Sequence, residues 1–276
     1  MKLLSTTLIA AALAMPAAAS TISVTITNNS GDNGVYFTPF LNVVHDGTYT
    51  PFEVGQAASS GLETLAELGG TAGAAAEALD ASDPNRGIAT LVEPTGVGDP
   101  AIGGPPVFDP GNSATLTFDL NSSSQYLTLL SMIIPSNDTF VSATFDLFDA
   151  DGNLNLGTFA VGRDSVYDAG TEVNQTLGQA FNPADGNGPG ALGEDENGTV
   201  HLSTDAELAT LFGQPVPPFA SLFTTDSSDV DFSNLLTITI AEVAPVPLPA
   251  SGLILLGALG GMGVVARRKK KAEVAG

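Results

Sequence analysis

"QYLTLLSMIIPSNDTFVSATFDLF", Gln125 to Phe148, decides the fold. Two apolar runs rich in β-branched and aromatic residues, Gln125 to Ile134 and Val141 to Phe148, flank a Pro-Ser-Asn-Asp turn, which predicts two strands joined by a short connection. The pattern extends in both directions. Ile22, Val24 and Ile26 alternate in "TISVTITNNSGDNGVYF" ahead of a turn rich in Asn, Gly and Asp. "ATLTFDL" (Ala114 to Leu120), "LNLGTFAV" (Leu154 to Val161) and "NLLTITIAEV" (Asn234 to Val243) repeat it. Six short strands with turn residues between them predict a mainly β chain folded as an antiparallel β-sandwich. Helical periodicity is limited to Ala58 to Gly69, where Leu62, Leu65, Ala66 and Leu68 form a stripe, to "AGAAAEAL" just after it, and to a short segment after Ser203. There Ser203 or Thr204 would cap the helix and Glu207 would lie in its first turn.

The charge is distributed very unevenly. Thirty acidic residues face eight basic ones, and between Ser20 and Ala266 only Arg86 and Arg163 oppose twenty-nine carboxylates. Such a field repels nucleic acid, so no nucleic-acid partner is expected. The absence of cysteine excludes disulfides, thiolate metal sites and a cysteine nucleophile. "MKLLSTTLIAAALAMPAAAS" has the basic, apolar and small-residue order of a secretory signal cleaved after Ala19; a buried amino-terminal helix is the alternative. Residues 1–19 are thus read as signal peptide and 20–244 as the folded domain, with 245–271 and the short 272–276 tail set apart.

Residues 245–271 join a Pro-rich spacer, a short apolar run and the basic cluster Arg267 to Lys271. Counted from Pro249, the uncharged run is eighteen residues, the lower limit for a transmembrane helix. The basic cluster is a stop-transfer signal. "VPLPASGLILLGALGGMGVVARRKKK" resembles the PEP-CTERM class of bacterial sorting signals in its VPLPA variant. That resemblance implies an exosortase-type processing enzyme, removal of the tail and delivery to the cell surface or extracellular matrix. A permanent single-span anchor in the membrane is the other reading.

Few stretches carry chemistry. Serine-hydrolase and zinc-protease patterns are missing, and "GPGALG" (Gly188 to Gly193) follows no strand and runs into three acids, against a dinucleotide site. "DADGNLN" (Asp149 to Asn155) offers alternating oxygens like half a calcium loop, but its Asp-Gly chemistry alone predicts a hairpin turn. "PSNDTFV" (Pro135 to Val141) and "YDAGTE" (Tyr167 to Glu172) each follow an apolar strand. Their carboxylates are either separate solvated acids or, if brought together without a basic neighbour, a site for a hard cation. His45, beside Asp46, suits a structural hydrogen bond better than catalysis, since no nucleophile accompanies it. Asn28 opens an Asn-x-Ser acceptor pattern.

"HDGTYTPFEVGQAASSGLETLAELG", "SMIIPSNDTFVS" and "YDAGTE", in that order, resemble the spondin amino-terminal domain, a family of extracellular β-sandwiches. The resemblance spans about Thr21 to Val243 and implies one calcium ion held by Asp138, Asp168 and Glu172. Animal members often have Asp where this chain has the longer Glu172, and carry a disulfide that this chain lacks. The expected function is therefore a calcium-binding adhesive or extracellular-matrix binding module, not an enzyme. The competing classes are a polysaccharide-modifying enzyme using carboxylates of the Asn182 to Gly198 loop, and a lipid-surface binder bridged by calcium.

Overall fold

The computed structural model describes residues 20–31, 34–79, 88–92, 107–121, 123–175, 193–209 and 230–244. Residues 1–19, read above as a signal peptide, the tail from 245 onward, and residues 176–192 of the acidic region lie outside the described residues. No helix among the described residues is long and apolar enough to cross a membrane.

In chain order the elements are β1 (Thr21–Asn28), β2 (Tyr36–Phe37), β3 (Phe40–His45), α1 (Ser60–Leu68), α2 (Ala72–Ala78), β4 (Ile88–Val92) and β5 (Ser113–Asp119). They continue with β6 (Tyr126–Ile134), β7 (Thr139–Asp146), β8 (Gly157–Val161), a 3₁₀ turn at Arg163–Ser165, β9 (Val166–Asp168), β10 (His201–Leu202), α3 (Asp205–Ala209) and β11 (Leu236–Glu242). Every strand pair among the described residues is antiparallel.

The first sheet runs β5-β1-β11-β8. Strand β1 alternates because a strand's side chains point to opposite faces: Ile22, Val24 and Ile26 are fully buried while Thr and Ser face outward. Each such burial removes a β-branched side chain from water, about 1.5–3 kcal/mol. The outward face forms hydroxyl pairs across strands, Thr25 with Thr115 at 2.7 Å and Thr27 with Ser113 at 2.8 Å.

The second sheet runs β10-β9-β7-β6-β3-β4, with β2 added on β6. Its central strands are buried on both faces. Leu127, Leu129 and Ile133 pack toward Ile22, Val24 and Ile238 of the first sheet. On the other face Leu41, Val43 and Leu130 pack with Leu62, Leu65, Ala66, Ala74 and Ala78, the apolar stripes of α1 and α2. The molecule is a two-sheet sandwich with a helical layer over one sheet and two apolar cores.

Local chemistry sets the helix ends. Ser59 Oγ caps α1 by accepting from Leu62 N at 3.2 Å, and Gly69, at φ 67°, ends it with its N–H returned to the last turn. Thr204 Oγ1 accepts from Glu207 N at 3.3 Å while the Glu207 carboxylate accepts from Thr204 N, so the cap of α3 is Thr204.

Two sequence expectations need correction, and a burial bears on the Asn28 acceptor pattern. Leu68 is 38% exposed and does not join the buried stripe, because at about 100° per residue it rotates away from the face shared by Leu62, Leu65 and Ala66. The segment Asp149 to Asn155 does turn, with Asp149 Oδ1 accepting from Asp151 N (2.9 Å) and Asn153 N (2.8 Å). Yet β7 and β8 belong to different sheets, so this is a corner between sheets and no hairpin. Only the Phe148–Leu154 bridge pairs across it, and β8 begins at Gly157, not at Leu154. Asn28 is fully buried, its amide donating to Val35 O and Phe108 O, which leaves no room for a glycan.

Candidate metal centre

The turn between β6 and β7 sets the first acid. Ser136 Oγ donates to Ile133 O at 2.6 Å and accepts from Thr139 N at 3.2 Å, which folds Pro135–Asp138 tightly and leaves Asp138 fully buried. Strand β9 pairs with β7 so that Asp168 lies opposite Thr139, next to that turn. Asp168 is also fully buried.

After Asp168 the chain reverses at Gly170. Its φ is +66°, and a Cβ there would sit 2.5 Å from Thr199 N, so both conformation and space require glycine. The reversal brings Thr171 N (2.7 Å), Thr171 Oγ1 (3.2 Å) and Glu172 N (3.0 Å) to donate to Asp138 Oδ2. Asp168 Oδ1 accepts from Gly170 N at 2.7 Å, and its Oδ2 from the Asn174 amide. Glu172, 2% exposed, accepts from Gly193 N through Oε1. The segment following residue 193 closes the knot, with Val173 N donating to Glu194 O and Gly198 N to Gly170 O.

Two buried oxygens of this knot, Asp138 Oδ1 and Glu172 Oε2, accept no hydrogen bond. The Asn137 side chain lies near enough to Glu172 to favour its charged form, but makes no bond of standard geometry to Oε2. Glu67 of α1, only 8% exposed, adds a further carboxylate beside Thr171 and Glu172. Burial and then the Asp168 charge push the Asp138 pKa up to about 7, against the pull of the Glu172 and Thr171 donors. Burial does the same to Glu67, also to about 7, and raises Asp168 and Glu172. Arg163 is the only Lys or Arg among the described residues, and it binds Ser203 O and Asp205 instead.

A buried carboxylate oxygen without a donor is costly, and several such acids together are costlier. A hard cation with oxygen ligands removes both penalties, so the donor set fits calcium. Asp138, Asp168 and Glu172 share one knot but do not close on a single point: among the described residues, the trio whose ligand atoms all lie within 4.8 Å of one another is Asp168, His201 and Glu207.

His45 has a structural environment. Gly47 N donates to its Nδ1 at 3.1 Å, which leaves the proton on Nε2, donated to Thr128 Oγ1 at 2.9 Å. The ring stacks on Tyr126 and meets Tyr49 edge-on, and burial lowers its pKa. A surface cleft of about 250 Å³ adjoins it, and a second of about 490 Å³ shares Thr50, Pro51 and Thr144 with the first. Neither is lined by a carboxylate.

Glu67 and Thr171 escaped the sequence reading. Glu67 falls off the apolar stripe of α1, so periodicity places it in water; in the fold it is buried beside Thr171 and Glu172 of the loop after Gly170.

A family model described as Spondin_N matches residues 29–185, a span that contains Asp138, Asp168 and Glu172 and stops short of His201 and Glu207. No curated protein matches the chain.

Proposed function

Because the chain belongs to the Spondin_N family, whose domains are generally extracellular, we propose that it is a secreted or surface-displayed calcium-binding module with an adhesive or matrix-binding role. The observation that carries the calcium reading is the buried acidic knot with two unsatisfied carboxylate oxygens and, among the described residues, no Lys or Arg beside it. Asp138, Asp168 and Glu172 would hold the ion, which supplies the positive charge the knot lacks. It would also tie the β6–β7 turn to the loop after β9, fixing the end of the sheet that a partner would meet.

Thermal unfolding in chelator and then in millimolar calcium tests this. At a hundredfold excess over its dissociation constant the ion adds about 2.7 kcal/mol, a rise of several degrees, and Asp138→Asn and Asp168→Asn abolish the rise. An unchanged parent protein overturns the calcium reading. The adhesive role predicts calcium-dependent retention on matrix from the producing cells; no retention in either condition rejects it. For residues 245–271, the proposal is recognition and removal by an exosortase-type enzyme. Mass spectrometry of surface-recovered protein should find chains lacking Arg267 to Lys271, whereas chains that keep them would indicate a permanent anchor.

A further inference from the structure

We infer that Asp168, His201 and Glu207 form a second metal site, selective for a first-row transition ion of the zinc type, which shares Asp168 with the proposed calcium ligands but rests on its own geometry. The ligand atoms of the three all lie within 4.8 Å of one another. They come from three adjoining elements. Asp168 ends β9, His201 opens β10 directly opposite it in the ladder, and the capping turn of α3 presents Glu207.

The imidazole decides the chemistry. His201 Nδ1 lies 2.8 Å from Thr199 O, and a carbonyl only accepts, so the proton is on Nδ1. In the neutral ring Nε2 then points a lone pair at Glu207 Oε1, 3.1 Å away. A lone pair facing a carboxylate at that distance is repulsive unless a cation lies between them, and either a proton or a metal ion serves. A metal-binding histidine is typically oriented in this way, with its other nitrogen donating to a backbone carbonyl. Nitrogen with carboxylate oxygen selects zinc-type ions over calcium, which takes oxygen ligands.

Access and spacing agree with this. The side chains of His201 and Glu207 are 36% and 20% exposed, while Asp168 is fully buried beneath them. The His201–Glu207 separation already matches the roughly 3.3 Å between ligands in a tetrahedral site with bonds of about 2.0–2.1 Å. Asp168 needs to close by no more than about 1.5 Å, within the reach of small side-chain rotations. Glu196 contributes another negative charge to the group.

The test is titration of the full chain with Co²⁺, followed by its ligand-field absorption, with Zn²⁺ as competitor and millimolar calcium present throughout. The expected result is a saturable visible band that Zn²⁺ displaces. His201→Ala and Glu207→Gln should each weaken Co²⁺ binding about tenfold or more, while keeping the parent's calcium-dependent thermal shift. Glu207→Gln keeps an oxygen for the Thr204 cap, so it guards against a folding defect in the alanine variant. Asp138→Asn should do the reverse, losing the calcium shift and keeping the cobalt band. Absence of a band overturns the site. So does a band unchanged in His201→Ala, or one lost in Asp138→Asn and kept in His201→Ala, which would place Co²⁺ among the calcium ligands.

Discussion

The two sheets of this sandwich are built by different rules. In the first, β1 alternates buried and half-buried residues along its whole length, and its outer face is a lattice of threonine and serine hydroxyls. In the second, β6 is buried from Leu127 to Ile134 and β3 throughout, because α1 and α2 cover the face that would otherwise meet water. Asp168 and His201 lie on strands of this second sheet, with Asp138 and Glu172 in the loops next to them, where buried acids can be held. A sheet with one wet face can satisfy its polar groups with solvent. One covered on both sides has to satisfy them internally or bind something that does.

That contrast is open to test, and the largest effect should come from the helix-side core. Phe140 is fully buried on β7 and packs against Phe52 and Tyr167. Phe140→Ala should cost about 3–5 kcal/mol in urea unfolding, and it should weaken the calcium response as well, since β7 begins beside Asp138. A stability loss with calcium binding untouched would separate this core from the site.

Next in size is Gly170→Ala. Positive φ and a collision with Thr199 act together there, for an expected loss of about 2–4 kcal/mol. Gly55 is the control: its φ is +88° with open space around it, so Gly55→Ala should cost only about 1 kcal/mol. Equal losses would show that backbone conformation, and not the close approach to Thr199, dominates at Gly170.

A smaller effect should appear with pH. Asp138 and Glu67, raised to about 7, hold protons in the folded chain that the unfolded chain releases nearer pH 4. Their contribution is complete below the ordinary carboxylate value and is lost as pH rises through 7. Metal-free protein should therefore melt at progressively lower temperature between about pH 5 and 7.5, and calcium should flatten the decline. Below about 6.5 His45, kept neutral by burial, opposes the trend because the unfolded chain protonates it more readily. A flat metal-free profile would mean that the acids are already compensated. The smallest effect belongs to the wet face, where Thr25→Ala should change stability by no more than about 0.5 kcal/mol in the same urea assay. A larger loss would show that the hydroxyl lattice carries more of the first sheet than its exposure suggests.

Legibility in the sequence follows strand length and turn signals as well as alternation: β6, buried on both faces, is still bounded to within a residue by its long apolar run and the Pro-Ser-Asn-Asp turn. Alternation exposed β1, β5, β7 and β11, each with a partly wet face, to within a residue or two. Strand β3, "FLNVVH", is buried on both sides and has no alternation to read, while β9 and β10 are too short to carry a period. At the site, Asp138, Asp168 and Glu172 were singled out only through the family resemblance, since their turn-forming segments after apolar strands fit separate solvated acids equally well. Glu67, His201 and Glu207 were not, since nothing in their local sequence separates them from solvated surface residues.

The sequence by itself determined the β-rich architecture, the capped helices, the acidic surface and the absence of thiol chemistry, because periodicity, capping and charge are local or additive properties. Tertiary structure alone decided which strands lose both faces to packing, that the Asp149 turn is a corner between sheets, and which acids become buried neighbours. Burial and the distance between side chains remote in sequence are set by how the layers close. The unsatisfied oxygens of the acidic knot and the pairing of His201 with Asp168 arise only at that level.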